Sequence, residues 1–309
     1  MERVSRRPLR SVLFTPGDDE VAIKTAAASG ADALIIDVEE PRTPYTETAR
    51  KRARRTAGDF LAGRTGDAPQ IYLVRVNPAI SGLILADLQA VVGPALAGIA
   101  LPKITAPADV VAADAMLTSL ERERDLEPGS LLIYPILETA QALRLAYEIA
   151  MASPRCAYMG GAISRFGDIH QALGYTWTPE GRETLFVRSK VLLDSRAAGI
   201  RYPVSGMWGG DTDDREGLRR WASELRELGY YGMMLGHPAH VPLVHEIFTP
   251  SAAQIAHWQA IVAAAEGASD EHPAILGDAN QGEMHVIHLA HVGSARMNLE
   301  WAGALGLLD

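Results

Sequence analysis

The chain has 309 residues, 48% of them hydrophobic and 22% charged, which places it with folded globular proteins and away from the composition of disordered chains. Its 29 basic and 38 acidic side chains leave a formal charge of −9, so nothing in the electrostatics recruits a polyanion, and nucleic acid is not expected as a partner. A single cysteine, Cys156, excludes an intrachain disulfide and a cysteine metal cluster, and fits a reducing compartment.

Met1 to Arg10 is basic, through Arg3, Arg6, Arg7 and Arg10, but lacks the apolar stretch and cleavage site of a secretory signal, so the cytoplasm is the expected location. No run of ~18 apolar residues occurs, and no membrane span is expected. Short aliphatic runs then alternate with longer stretches of helical period. The runs are Ser11–Phe14, Ala33–Val38, Ile71–Val76, Gly98–Pro102, Leu131–Leu137, Cys156–Met159, Arg201–Val204 and Gly232–Leu235. Most are followed by a helical segment, and eight β/α units predict a (β/α)8 TIM barrel. Several helix ends are legible. Gly17-Asp18-Asp19 opens a helix that stops at Ser29-Gly30; Thr46 to Arg55 carries Glu47 early and Lys51, Arg52, Arg54 and Arg55 late; Asp211 to Asp214 precede Arg215–Leu228, which Gly229 ends. After Phe248-Thr249-Pro250-Ser251 the pattern changes. Ala252–Ala265 reads as one amphipathic helix, a polar linker follows, and Met297–Leu307 is helical again. The expected organisation is a catalytic barrel over residues 1–251 and a C-terminal helical region over 252–309 that serves as a lid or an oligomer contact.

In such a barrel the reactive side chains come from the C-terminal ends of the strands and the loops after them. That filter retains Asp37, Glu39, Arg75, Asn77, Lys103, Glu138, Asp168 and His237. One arginine among several carboxylates suits a hard divalent cation, Mg²⁺, beside an anionic substrate held by the guanidinium. Each residue also has a plainer use. Glu138 can cap the next helix, Arg75 can pair with Asp37 or Glu39 while also serving a substrate, His237 can be a packed histidine, and Lys103 can be a solvated strand-end cation unless the mouth desolvates it.

Arg10-Ser11-Val12-Leu13-Phe14-Thr15-Pro16-Gly17-Asp18, Asp37-Val38-Glu39-Glu40, Arg75-Val76-Asn77, Leu101-Pro102-Lys103, Ile136-Leu137-Glu138-Thr139 and His237-Pro238 occur in this order, followed by Phe248-Thr249-Pro250-Ser251. Together, over roughly residues 10 to 266, they resemble the HpcH/HpaI aldolase and citrate lyase beta-subunit family, which includes malyl-CoA lyases. The resemblance implies a TIM barrel and a Mg²⁺-dependent carbon–carbon lyase working through an enolate of a small 2-oxo or 3-hydroxy acid or its acyl-CoA thioester. It implies Glu138 and Asp168 as the metal carboxylates and Arg75 as the group that binds the substrate carboxylate and polarises its carbonyl. It also implies Glu39 beside the metal-bound waters, and Arg10, Pro16 and Gly17 on the substrate. CoA enters as part of the substrate, and a homo-oligomer, trimer or hexamer, is implied as well, with Trp258, Ile261 and Trp301 either in that contact or packed within the subunit.

Three departures bear on this. Gly282-Glu283-Met284-His285-Val286 places Val286 where the malyl-CoA lyase branch carries a proton-transferring aspartate, which leaves His285, His288 or Asp278 to stand in. Before Asp168, where family members often carry two adjacent acids, this chain reads Gly160-Gly161-Ala162-Ile163-Ser164-Arg165-Phe166-Gly167, and the added Arg165 is expected either to pair with Asp168 or to approach a substrate anion. Lysines usual after the second strand and before His237-Pro238 are missing, so the resemblance carries the enolate chemistry further than it carries CoA. Two other readings remain open: a CoA-independent class II pyruvate or oxaloacetate aldolase or decarboxylase, and a non-catalytic barrel that binds an acyl-CoA or organic acid.

Overall fold

The structure, a computed structural model, describes residues 7–40, 45–64, 70–161, 163–268, 275–277 and 284–308. Eight parallel strands follow one another in chain order: β1 (Ser11–Pro16), β2 (Ala33–Asp37), β3 (Ile71–Arg75), β4 (Gly98–Leu101), β5 (Leu132–Leu137), β6 (Gly160–Gly161), β7 (Val204–Ser205) and β8 (Gly232–Leu235). β8 returns to pair with β1, Val12 opposite Met234, which closes a (β/α)8 TIM barrel. Around it lie α1 (Glu20–Ala27), α2 (Glu47–Ala62), α3 (Ile84–Val91), α4 (Pro107–Glu123), α5 (Ala140–Arg144), α6 (Ala146–Met151), α7 (Asp168–Leu173), α8 (Leu185–Ala197), α9 (Arg215–Leu228) and α10 (Val241–Ile247).

The helix ends follow local chemistry. Asp19 caps α1 by accepting the Ala22 N–H at 3.0 Å, and Asp214 caps α9 by accepting that of Gly217 at 2.8 Å. α2 outruns its expected end at Arg55 because Ala49, Ala53, Ala57, Phe60 and Leu61 continue one buried stripe at helical spacing.

Two expected strands are shifted. Cys156–Met159 is buried but stands outside the ladder: the Cys156 and Ala157 N–H groups turn back to the carbonyls of Ser153 and Arg155, at 3.2 and 2.8 Å, so pairing starts at Gly160. Arg201–Val204 contributes only its last residue, since Pro203 has no N–H for a ladder and pairing begins at Val204.

The strands bury both faces, and the two faces serve two cores. Leu13, Leu34, Ile36, Val74, Ile99, Ile133 and Leu137 join the layer shared with the helices. Their alternates, Val12, Ile35, Leu73, Ala100, Tyr134, Ile136 and Met234, form a separate buried cluster inside the barrel.

The chain divides between Phe248 and Thr249 into two compact units, just ahead of the expected boundary at 251/252. The second unit holds α11 (Ala252–Glu266), β9 (Ile275–Gly277), β10 (Met284–Val286) and α12 (Leu289–Ala304). β9 and β10 pair antiparallel, and the rings of Trp258 and Trp301 lie 6.3 Å apart, so both tryptophans pack within the unit. α12 starts earlier than the expected Met297, with extended His288 as its N-cap residue. Among the described residues no helix is long and apolar enough to cross a membrane.

Candidate active site

Strand alternation decides which side chains reach the mouth of the barrel. Phe14 lies two residues beyond inward-facing Val12, Asp37 two beyond Ile35, Arg75 two beyond Leu73 and Glu138 two beyond Ile136, so one parity carries all four to the C-terminal ends of the strands. There Phe14, Arg75 and Glu138 line a cleft of about 260 Å³, whose apolar residues are Phe14, Ile136, Ile163, Met207 and Met234 and whose charged residues are Arg75, Glu40, Glu138 and Asp168.

Asp37 organises the charged residues. Its carboxylate takes the Arg75 guanidinium side-on, Nε to Oδ1 at 2.9 Å and Nη2 to Oδ2 at 2.7 Å, and Oδ1 also accepts the Glu39 N–H at 3.0 Å. The Arg75 Nη1 lies 3.2 Å from Glu39 Oε2, and the guanidinium carbon sits 5.4 Å from the Phe14 ring centroid. Glu138 accepts the Lys103 backbone N–H through Oε1 at 2.8 Å. The Lys103 ammonium lies 2.9 Å from Glu39, 2.6 Å from Glu40 and 3.8 Å from Asp168. Asp168 begins α7 directly after Gly167, whose φ of +130° lies in the region that glycine tolerates and other residues avoid.

Five carboxylates thus meet two cations, Arg75 and Lys103, and the imbalance is visible in the protonation equilibria. Burial pushes the Glu138 carboxyl up to about 7; Arg75 opposes this, while Glu39 and Asp168 add to it. Burial also raises Glu39, against the pull of Arg75 and Lys103. For Arg75 burial works against the charge, but Asp37, Glu39 and Glu138 more than offset it, so its pKa is raised.

A hard divalent cation suits this donor set. Both Glu39 oxygens are buried and lack a directed hydrogen bond, and every oxygen offered is a carboxylate. Among the described residues no three carboxylate, imidazole or thiol groups converge closely enough to enclose a metal by themselves. A divalent ion held by two of these carboxylates would need water or substrate oxygens to complete its shell, which is the habit of Mg²⁺.

The remaining expected residues lie elsewhere. Arg10 precedes β1, so it stands at the opposite end of the strand from the cleft, where its Nε and Nη2 grip the two oxygens of Asp32 at 2.9 and 2.8 Å; the substrate-binding expectation for it is corrected. Pro16 ends β1 opposite Asp37 outside the cleft lining, and Gly17 packs so closely that an added Cβ would sit 2.5 Å from the Asp37 carbonyl oxygen. Their observed task is to seat β1 against β2. Asn77 donates through N and Nδ2 to Asp87, at 2.7 and 2.8 Å, which ties the β3 end to α3. His237 accepts the Ala239 N–H at 3.2 Å and borders a separate hollow with Trp208 and His240. Arg165 pairs with Asp211 at 3.7 Å and stacks on Phe166 and Trp177 rather than meeting Asp168. Val286 ends β10, His288 caps α12, and Asp278 and the His285 side chain lie outside the described residues. Glu40 and Lys103 are the additions: the first stood in a quoted motif without a role, the second passed the strand-end filter without one.

The model of the HpcH/HpaI aldolase/citrate lyase family matches residues 10–238. A citrate lyase subunit beta-like protein of Deinococcus radiodurans is 36% identical over 267 residues, covering 84% of this chain and 87% of its own. The L-malyl-CoA/beta-methylmalyl-CoA lyase of Cereibacter sphaeroides is 32% identical over 283 residues, covering 85% and 86%. The structure of CitE from Mycobacterium tuberculosis in complex with magnesium and pyruvate is similar with a TM-score of 0.60 at 26% identity, over 79% of this chain and 92% of that one.

Proposed function

The chain belongs to the HpcH/HpaI aldolase/citrate lyase family, a family of carbon–carbon lyases, and from that premise we propose a Mg²⁺-dependent lyase that makes or breaks a C–C bond through the enolate of a small 2-oxo or 3-hydroxy acid or its acyl-CoA thioester. The observation that carries this reading is that Arg75, Glu138 and Asp168 line one cleft together with the apolar Phe14, Ile136, Ile163, Met207 and Met234. Magnesium and pyruvate on a relative at 26% identity support it.

Breaking a C–C bond next to a carbonyl leaves negative charge on the carbonyl oxygen, and the site must meet that charge with donors already in place. Arg75 is such a donor. Asp37 accepts two of its N–H groups and the Glu39 carboxylate lies beside Nη1, which fixes the plane of the fork and leaves N–H groups for a substrate carboxylate or enolate oxygen. Phe14, Ile136, Ile163, Met207 and Met234 keep the reacting carbon in a surrounding of low polarity, where that interaction strengthens. Glu138 and Asp168 would hold Mg²⁺, with the Glu39 carboxylate nearby, and the ion would supply Lewis-acid stabilisation of the developing oxyanion. Burial raises the Glu138 carboxyl to about 7, which disfavours its ionised form until a cation is there to pair with it.

Turnover of malyl-CoA, citramalyl-CoA and oxaloacetate, each with Mg²⁺ and after chelation, tests the proposal. Magnesium-dependent cleavage of a panel member is expected; ligand binding with no turnover of any of them overturns it in favour of a non-catalytic barrel. A CoA-free oxo-acid aldolase or decarboxylase is the second reading, favoured by a cleft of about 260 Å³, a volume matched to a small acid. Turnover of oxaloacetate alone selects it.

A further inference from the structure

Leu101-Pro102-Lys103 is a strand-end motif at the cleft to which this reaction gives no task. Lys103 follows β4 with φ of +49°, a left-handed conformation that is costly for a non-glycine residue and that marks functional sites when the surroundings enforce it. Two groups of contacts enforce it here. The backbone N–H is committed to Glu138 Oε1 at 2.8 Å. The side chain reaches across the mouth, so that Nζ meets Glu39 at 2.9 Å, Glu40 at 2.6 Å and Asp168 at 3.8 Å. One residue therefore touches both carboxylates assigned to the metal and the one assigned to its water shell. Glycine would adopt this φ with less strain and keep the N–H, so the backbone role does not explain the lysine side chain.

An ammonium group and a hard divalent cation seek the same oxygens. We propose that Lys103 is a positioning residue that competes with the divalent ion for the Glu39 and Asp168 carboxylates and so sets its affinity, while its backbone N–H holds Glu138 in place. The proposal rests on the assignment of Glu138 and Asp168 as ligands. It makes Lys103 a built-in counter-cation, which keeps the crowded acids from repelling one another and must yield Asp168 as the ion enters.

Calorimetric titration of Mg²⁺ into the chelator-stripped full chain reads this without any turnover. Lys103→Met is expected to bind Mg²⁺ about tenfold tighter than the wild type, because a positive charge within a few ångströms of the ion is removed. Lys103→Arg, which keeps the charge, is expected to stay within about threefold of wild type, and Glu138→Gln to lose most of the binding. A Lys103 that merely supported the loop would weaken binding when truncated, so equal or weaker affinity in Lys103→Met, with binding lost in Glu138→Gln, overturns this proposal and leaves the metal assignment standing. Unchanged binding in Glu138→Gln overturns the assignment, and no binding to either the wild type or Lys103→Met overturns both. Should Lys103→Met fail to fold, the polar Lys103→Gln carries the same expectation.

Discussion

The two ends of the barrel use the same residue types to opposite effect. At the base, Asp32 precedes β2 and accepts the Arg10 backbone N–H at 2.8 Å together with two guanidinium bonds, while His245 of α10 lies 3.6 Å away and accepts or donates at Ser11 Oγ at 2.7 Å. One carboxylate there meets one fully committed arginine. Burial works against the Asp32 charge, but Arg10 and His245 outweigh it and hold the carboxyl below its usual value. At the mouth, the acids outnumber the cations and Glu138 rises to about 7, first through burial. A balanced ion cluster stabilises the fold, whereas an unbalanced one stores charge for something yet to arrive.

The sharpest way to break this comparison is Arg75→Lys. Lysine keeps a positive charge but not the fork that Asp37 and Glu39 orient, so kcat/KM is expected to fall by roughly 10²–10³, the scale of losing one preorganised oxyanion donor. Steady-state kinetics on a variant with a native-like melting curve checks it; a fall under tenfold would show that charge alone suffices. The counterpart at the base is Arg10→Ala, for which about 2–4 kcal/mol of stability should disappear in urea denaturation, the cost of leaving a mostly buried carboxylate unpaired. Its kcat/KM should stay within about twofold, and a large loss of activity would restore Arg10 to the substrate.

Removing an acid should also act in opposite directions at the two ends. The folded-state pKa of Glu138 lies above its unfolded value, so ionisation opposes folding: the cost is absent below about pH 4.5, grows as the pH rises, and is complete above about 7. With divalent ions chelated, Glu138→Gln should therefore gain about 1–3 kcal/mol at pH 8 and nothing near pH 4. Stability that falls at pH 8 would mean that the ionised carboxylate is held better than its burial implies.

How far the sequence led follows from which of these effects are local. Arg75 and Glu138 were legible because strand parity is a property of adjacent residues: an apolar run ending in a charge aims that charge at the mouth whatever the rest of the chain does. Arg10 was misplaced because a basic residue beside the first strand was taken as near the substrate, and only the direction of β1 tells which end it occupies. Lys103 was found as a strand end but not as a hub, since its left-handed φ and its reach to Glu39, Glu40 and Asp168 depend on contacts between different β/α units. The sixth strand shows the limit of hydrophobic patterning. Cys156–Met159 is as buried as any strand, yet turns made by its own N–H groups keep it out of the ladder, and apolar content does not report where hydrogen bonds go.

The smallest effect concerns His245, and it tests whether the base is as closed as its geometry implies. Burial lowers its pKa from the ordinary histidine value, Asp32 pulls the other way, and Arg10 adds to the lowering. The folded chain therefore favours the neutral ring, and the unfolded chain takes up a proton first. Above about pH 6.5 both states are neutral and the contribution to stability is complete; it declines as the pH falls through and below that value, until the folded ring protonates as well. Denaturation midpoints of wild type and His245→Gln should differ in slope between about pH 7 and 5, with the wild type losing more, by a fraction of the Arg10→Ala loss. Parallel slopes would mean that Asp32 accommodates the imidazolium at no cost, and the base would then hold a spare negative charge of the kind so far seen only at the mouth.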